Sequence, residues 1–380
     1  MQRSRIRPYW SSSPKVCIGD RSVGPGEPTY IIAEAGVNHN GKFDLAIKLV
    51  ELAKRAGADA VKFQVFTAEN LVISNAPTAN YQKEQGHNDQ RDMLRQLELT
   101  RQEFIDLSHY CREVRIEFLA TPFSVSDLEF LVEMDVSAIK LASPDLVNYP
   151  LLERAISSKL PVIASSGACT LDEIDAAVDC FANRGALSRL ILLHCISSYP
   201  TPLDQANLSV IGNLANRYPV PAGFSDHTAE TLTGALAVSA GATVLEKHFT
   251  LDRTMPGPDH RFSLEEDQLK QYITMVREAE AAMGNPLRKL LECEYEVRQV
   301  SRGSVVSAMA IPAGTILTPA MLTVKRPGGG IEPARIRELV GMRATRAIPA
   351  DTMFEWPMLQ PCMEQAMQTI EQWNEAQKLN

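Results

Sequence analysis

YIIAEAGVNHNGKFDLAIKLVELAKRAGADAVKFQV, residues 30–65, decides the fold. It opens on a short apolar run, YIIAEA at 30–35, and closes on a second, AVKFQV at 60–65, each of the length and β-branched character of a strand. Between them DLAIKLVELAKRAG at 44–57 repeats its apolar residues three and four apart, starts on an acid and stops at Gly57. Those are the marks of one amphipathic helix with its start and stop signals, so the stretch is a strand–helix–strand unit.

The unit recurs. Further strand-like runs are IEFLAT at 116–121, SAIKLA at 137–142, PVIASS at 161–166, LILLHC at 190–195, PAGFSD at 221–226 and ATVLEK at 242–247, with helical patterns such as LDEIDAAVDCFANRG (171–185) and AETLTGALAVSAG (229–241) between them. Eight such units between Tyr30 and about Met283 have the size of a (β/α)₈ TIM barrel. The preceding KVCIGDRSVGPGEP alternates around turn residues, which predicts a hairpin closing the bottom of the barrel. The loop from Thr67 to Thr100 is longer than a barrel needs and is expected to frame the site.

After Met283 the texture changes. Glu292–Val300 reads as a charged connector, followed by short apolar runs punctuated by PAG, RPGGG and IPAD, which predicts a small second domain, all β or nearly so, beginning near Ser301. Residues 301–361 hold seven Lys or Arg against four Asp or Glu, a balance of +3, and the rest of the chain stands at -11. The expected plan is an N-terminal extension and hairpin over 1–29, the barrel over 30–290, a linker and small β domain over 291–361, and a polar tail over 362–380 forming one exposed helix.

With 380 residues, 45% hydrophobic and 22% charged, the chain is globular and not disordered. Its net charge of -8 disfavours nucleic acid or anionic lipid as a partner, so an anionic ligand needs a local basic site. Seven cysteines without CxxC spacing suit reduced thiols and a cytoplasmic location. No apolar run of signal-peptide length follows the basic N-terminus, and no stretch reaches the roughly 18 apolar residues of a membrane span.

Active sites of such barrels lie at the C-terminal ends of the strands. There the sequence places Glu34, Lys62 with Gln64, Thr121, Lys140 with Ser143, Ser165-Ser166, His194 with Ser197, Ser225-Asp226-His227 and Glu246-Lys247-His248. Lys62 and Lys140 interrupt apolar strands, and alternation lets both point into the mouth. Two ammoniums among hydroxyls suit a ligand with phosphate and carboxylate groups; the alternative is that they snorkel to the rim or pair with Glu34. His227 and His248 end neighbouring strands, and could hold a divalent metal between them or be satisfied structural residues. His194, in the apolar LLHC, reads as a core residue, whereas His39, His87 and His109 carry no signal of their own. The RPGGG glycines permit close approach of backbone to a ligand, or form a solvated turn. Neither a Walker loop nor GxGxxG is present.

IIAEAGVNHNGKFDLAIKLVELAKRAGADAVKFQ, SDHT, EKHFTLDRTMPGPDH and VKRPGGGI together resemble the sialic acid (N-acetylneuraminate) synthase family, from about Lys15 to Gln360. The resemblance implies a phosphoenolpyruvate-condensing barrel joined to a C-terminal antifreeze-like (SAF, β-clip) domain. It implies condensation of phosphoenolpyruvate with the open-chain aldehyde of an N-acyl hexosamine, N-acetylmannosamine, to give N-acetylneuraminate and phosphate. Carried over motif by motif, His227 and His248 resemble ligands of Mn²⁺ or Mg²⁺, with Glu246 beside the metal. Lys62, Thr121, Lys140, Ser143, Ser165 and Ser225 resemble the phosphoenolpyruvate cradle, and Glu34, Gln64, Tyr199, Asp259 and Arg326 the sugar side. Glu34 or Glu246 is the candidate for handling the proton of the attacking water. The family likeness also implies that the loop of Arg326 crosses a domain-swapped homodimer into the partner's barrel.

Some positions depart from the family pattern. Strand four reads Lys140-Leu-Ala-Ser-Pro-Asp145 where a Lys-Ile-Gly-Ser-Gly-Glu motif is usual, Ser165-Ser166-Gly167-Ala168 replaces Ser-Thr-Gly-Met, and Ser197 stands where Asn is expected. Asp145 and Ser197 are therefore expected at the substrate pocket in altered form. Legionaminic, pseudaminic and spore-coat sugar synthases are the alternatives within the family, and a non-catalytic sugar- or ice-binding protein is the alternative outside it.

Overall fold

A computed structural model describes residues 15–73, 90–285 and 287–362, in two compact units, Met1–Gly284 and Asn285–Asn380. In the first, a hairpin of β1 (Val16–Ile18) and β2 (Arg21–Val23) precedes eight parallel strands: β3 (Tyr30–Gly36), β4 (Ala60–Val65), β5 (Glu117–Pro122), β6 (Ile139–Leu141), β7 (Val162–Ser165), β8 (Leu190–Cys195), β9 (Ala222–Asp226) and β10 (Val244–His248). β10 pairs with β3 from Val244 opposite Tyr30 to His248 opposite Glu34, which closes the sheet into a barrel with no edge left to protect.

The helices follow the sequence signals. The one over Phe43–Ala56 buries Ala46, Leu49, Val50 and Ala53 against the strands and ends at Gly57, whose φ of 89° lets its N–H reach back to the carbonyls of Ala53 and Lys54. Thr100 with Glu103, and Thr170 with Glu173, form capping boxes at the starts of Arg101–Val114 and Leu171–Ala182. Some boundaries differ from expectation, among them the helix from Leu171, which ends at Ala182 before Gly185. The pattern at 229–241 is helical only over Thr233–Ser239, whose first residue gives its hydroxyl to Asp226, and strand β6 keeps three residues of SAIKLA. Beyond Ala142 the chain leaves the sheet in a 3₁₀ turn, Ser143–Val147, with Pro144, which has no N–H to give a ladder, in its first turn.

The interior of the barrel has two layers. Ile32, Ala60, Leu119, Ala138, Ile163, Leu193 and Val244 cluster with Val16, Ile18 and Val23, so the hairpin does close the bottom. Val61, Phe63, Val65, Ile139, Leu141 and Leu245 point the other way, into the apolar layer beneath the helices. Period-two alternation then sends the residue two beyond each lower-layer position into the upper half of the barrel, where the site lies.

In the second unit, the expected connector is a 3₁₀ turn (Glu292–Glu294) and a helix (Tyr295–Ser301). β11 (Ser304–Ser307) pairs antiparallel with β12 (Leu322–Lys325), and β13 (Arg343–Ala344) with β14 (Leu359–Gln360), around a core that includes Val305, Ile311, Leu317, Ile348 and Phe354. The long loop contributes short helices at Ala68–Leu71 and Gln90–Arg95; its residues 74–89, and the tail helix expected beyond Cys362, lie outside the described residues. All seven cysteines are free thiols, and no helix among the described residues is long and apolar enough to cross a membrane.

Candidate active site at the mouth of the barrel

Two residues above the lower apolar layer stand Glu34, Lys62, Thr121, Lys140, Ser165, Cys195, Ser225 and Glu246, all buried. One layer of this barrel is a hydrocarbon floor and the next is almost wholly polar. Nζ of Lys62 lies 2.6 Å from Oε2 of Glu34 and 3.7 Å from Oε1 of Glu246, and donates to Oγ1 of Thr121 at 2.9 Å. Nζ of Lys140 donates to the Leu141 carbonyl at 3.0 Å and stands 3.7 Å from Oε2 of Glu246. Glu246 is thus shared by both lysines, and Ser225 donates to it at 3.3 Å. Gln64 donates to Oε1 of Glu34 at 3.1 Å. A bulge at the end of β3 brings in Gly36, where φ is 54° and a Cβ would stand 3.2 to 3.3 Å from Gln64, Asp259 and Glu34.

The rings of His227 and His248 have centroids 5.5 Å apart, with the Tyr199 ring 4.3 Å from the first. Nδ1 of His227 donates to the Ile196 carbonyl at 2.8 Å, so Nε2 is that ring's free nitrogen. Nδ1 of His248, 3.9 Å from Asp259, has no hydrogen-bond partner; Ser165 Oγ and Glu246 Oε2 are also buried without one.

Burial is the largest influence on every one of these groups, and the neighbours decide which form survives. Burial raises Glu34, with the negative charge of Glu246 adding to it and Lys62 opposing. Burial also lifts Asp259 to about 7, with Glu34 contributing. Against burial, Lys140 and Lys62 hold Glu246 low, and Glu246 and Glu34 keep Lys62 above its ordinary value. Lys140 is lowered by burial, only partly offset by Glu246. His248 falls well below the ordinary imidazole value through burial and the positive charge of His227 and the lysines, which leaves a neutral ring able to bind a cation.

These groups surround a cavity of about 240 Å³. Residues 49–288 match the NeuB family, and residues 302–360 match the SAF domain. The chain belongs to the NeuB family. It is 38% identical over 343 residues to the N,N'-diacetyllegionaminic acid synthase of Legionella pneumophila, spanning 89% of this chain and 96% of that one. To human N-acetylneuraminate-9-phosphate synthase it is 35% identical over 340 residues, 89% of this chain and 94% of that one. The solved N-acetylneuraminic acid synthetase of Leptospira borgpetersenii matches with a TM-score of 0.68 and 35% identity, over 75% of this chain and 95% of that one. As a NeuB-family member the chain is an enzyme, a synthase of a sialic-type acid, and the non-catalytic alternative is set aside.

Of the residues expected at the mouth of this NeuB-family barrel, Glu34, Lys62, Gln64, Thr121, Lys140, Ser143, Ser165, Tyr199, Ser225, His227, Glu246, His248 and Asp259 line the cavity, whereas Asp145, Ser166, His194, Ser197, Asp226 and Lys247 do not. Asp145 lies in the 3₁₀ turn after β6, accepting from Asn148 at 3.0 Å, and Ser197 is exposed beside Gly167. Gly167 takes part in the site by contact: its N–H donates to Ser143 Oγ at 2.9 Å, and a Cβ there would lie 2.4 Å from Ser197 Oγ and 2.8 Å from Ser143 Oγ. Arg326 belongs to the second unit, where it is exposed and makes no salt bridge or side-chain hydrogen bond among the described residues. His194 is a core residue, bonded to the Ala206 carbonyl at 2.8 Å.

The long loop does frame the cavity as expected, but the sequence reading did not name the apolar residues of one wall. Val37, Met93, Leu94, Leu97 and Phe123 line it, packed in an apolar cluster with Phe66. The signal was the one-, three- and four-residue spacing of Met93, Leu94 and Leu97, hidden inside a segment read only as a long loop.

Proposed function

We propose that the chain condenses phosphoenolpyruvate with the open-chain aldehyde of an N-acyl hexosamine to give a nine-carbon 2-keto sugar acid and phosphate. The observation that carries this is the polar upper layer, in which the ammoniums of Lys62 and Lys140 stand among Thr121, Ser143, Ser165 and Ser225, with Ser165 Oγ unpartnered. Phosphate and carboxylate oxygens would supply charged acceptors for Lys140, which hydrogen-bonds the Leu141 carbonyl, and for the unpartnered Ser165 hydroxyl. The methylene of phosphoenolpyruvate forms the new C–C bond at the aldehyde carbon as the C=O π bond opens onto oxygen, which takes up a proton to become a hydroxyl, leaving C2 electron-poor. Water then adds to C2, its proton passes to a carboxylate, and the C2–O bond breaks to release phosphate. Of the two carboxylates beside Lys62, Glu34 is the one whose pKa burial raises, while Glu246 is held low, so Glu34 suits the proton acceptor and Glu246 the fixed anion.

His227 and His248 would hold a divalent cation, Mn²⁺ or Mg²⁺. The unpartnered Nδ1 of the neutral His248 and the orientation of the His227 ring, fixed by its bond to the Ile196 carbonyl, fit such an ion. No group of three or more His, Cys, Asp or Glu is arranged to hold a metal among the described residues, so two imidazoles would leave the other positions to water or substrate. When bound, the ion supplies Lewis-acid polarisation of the acceptor aldehyde.

Lys62 and Lys140 share the cavity with Glu34, Glu246 and Asp259, so a phosphorylated carboxylic acid needs more positive charge than the two lysines leave over. The divalent cation is one source; Arg326 of the partner in a domain-swapped homodimer is the other. The seven free thiols suit a cytoplasmic enzyme.

The apolar wall of Val37, Met93, Leu94, Leu97 and Phe123 favours an acceptor rich in methyl surface, such as a deoxy-diacetamido hexose, over the more hydroxylated N-acetylmannosamine. The 38% identity to a diacetyllegionaminic acid synthase, against 35% to an N-acetylneuraminate-9-phosphate synthase, points the same way. Phosphate release would be followed with phosphoenolpyruvate, Mn²⁺ and each sugar in turn. Faster release with the diacetamido sugar is expected; release with N-acetylmannosamine alone would contradict the acceptor assignment.

A further inference from the structure

On the outer face of the barrel, β9 and β10 carry a buried ion pair that the reaction does not use. Asp226 and Lys247 stand opposite each other in the ladder, with side chains 0% and 1% exposed and Nζ 3.1 Å from Oδ2. Nζ of Lys247 also donates to the Thr228 carbonyl at 2.6 Å and to Thr228 Oγ1 at 3.2 Å. Oδ1 of Asp226 accepts the N–H of Thr228 at 2.9 Å and its hydroxyl at 2.7 Å, while Oδ2 accepts the hydroxyl of Thr233 at 2.5 Å. The ammonium lies 5.5 Å from the centre of the Tyr272 ring.

A fully buried ion pair is a poor source of stability, because desolvation offsets its attraction; an apolar pair of equal size serves as well or better. What it does specify is register, since a one-residue slip would turn Ser225 and Glu246 out of the barrel mouth. Lys247 with Asp226 is also the last pair of the β9–β10 ladder; His227 follows β9 directly and His248 is the last residue of β10. Past that point no β9–β10 pairing holds them. His227 is bracketed instead, by Asp226 before it and by Thr228 after it, and both are tied to Lys247 of the neighbouring strand.

We propose that Asp226, Lys247 and Thr228 are positioning residues that fix His227 and His248 at the barrel mouth in the orientation a divalent cation requires. This rests on the assignment of those two histidines as cation ligands. The network acts from behind the strands and touches neither substrate nor ion.

The paired replacement Asp226→Leu with Lys247→Met tests it, since removing both charges together leaves none unpaired and is expected to keep the melting temperature close to wild type. Two measurements are made on the full chain. In metal-free protein with ¹⁵N-labelled histidine, the Nδ1–H of His227, bonded to Ile196 in the wild type, is expected to exchange with water at least tenfold faster in the variant. Titration with Mn²⁺ alone, followed by electron paramagnetic resonance, is expected to show affinity about 10- to 100-fold weaker, as for other outer partners of metal-binding histidines. A folded variant with wild-type His227 exchange overturns the positioning role. If the wild type itself binds no Mn²⁺, the cation assignment fails, while the exchange measurement still decides whether the pair orients His227. If the paired variant does not fold, Thr228→Val takes its place: faster exchange at an unchanged melting temperature supports the proposal, and unchanged exchange overturns it.

Discussion

Lys62→Met removes one ammonium from the buried set and leaves Glu34, whose side chain is 2% exposed, without the partner 2.6 Å away. The variant can either keep a buried, uncompensated carboxylate or protonate it, and it takes the cheaper route. Protonation therefore caps the penalty, at about 1.36 kcal/mol for each pH unit above the ordinary Glu value near 4.3. That is about 5 kcal/mol at pH 8 and about 1 kcal/mol at pH 5, and the upper figure matches the ~3–5 kcal/mol typical of breaking a buried pair from one side. The sign follows from linkage. A carboxyl whose folded pKa is raised, as that of Glu34 is already and more so without Lys62, contributes stability fully present below its unfolded pKa and lost as pH rises through the folded one. At roughly 2–4 °C per kcal/mol, and because Glu34 is already raised in the wild type, the variant should melt at most about 10–20 °C below wild type at pH 8 and at most about 2–4 °C below it at pH 5. Scanning calorimetry of both proteins at the two pH values measures this directly. A deficit that is the same at pH 5 and pH 8 would refute the reasoning, because it would place the cost in lost packing and not in the stranded charge.

Gly167→Ala should push Ser143 out of line, since the new Cβ would stand 2.8 Å from its Oγ and 2.4 Å from that of Ser197. A rise in the KM for phosphoenolpyruvate of about tenfold, equivalent to ~1.4 kcal/mol, is expected, and an unchanged KM would argue against Ser143 as a substrate contact. Leu97→Asn places an amide in the apolar wall, and kcat/KM for a deoxy-diacetamido hexose should fall about tenfold relative to N-acetylmannosamine; equal losses for both sugars would mean that the wall does not choose the acceptor. Mixing Arg326→Ala subunits with Lys62→Ala subunits should restore about one quarter of wild-type turnover, because half of the random dimers carry one complete site. A mixture as inactive as either parent argues against delivery of Arg326 across the dimer.

Much of the barrel and its mouth was legible because strand periodicity carries two messages at once. Val61, Phe63 and Val65 mark the outer face of β4, and that alone sends Lys62 and Gln64 inward; Ile139 and Leu141 do the same for Lys140. Where the period is broken, legibility ends. Asp145 and Ser197 lie in irregular segments after strands, and proximity in sequence did not bring either to the cavity wall. The wall of Met93, Leu94 and Leu97 comes from a short helix in a long connection, whose packing depends on residues far away such as Val37 and Phe123. Asp226 and Lys247 read as polar strand ends, and only the register of β9 against β10 shows that they face each other. Helix ends were the other weak point: Gly57 caps its helix, but the helices expected to stop at Gly185 and Gly241 end at Ala182 and Ser239.

The central claim is a condensation in which phosphoenolpyruvate loses phosphate by cleavage at C2–O, inside a cavity whose donors are Lys62, Lys140 and their neighbouring hydroxyls. Mass spectrometry of a single reaction tests it most directly, with phosphoenolpyruvate carrying ¹⁸O in the bridging position, a deoxy-diacetamido hexose and Mn²⁺. The predicted result is a nine-carbon 2-keto acid free of the label together with phosphate that holds it. Phosphoenolpyruvate recovered intact, or unlabelled phosphate with the ¹⁸O retained in a keto product, would contradict it.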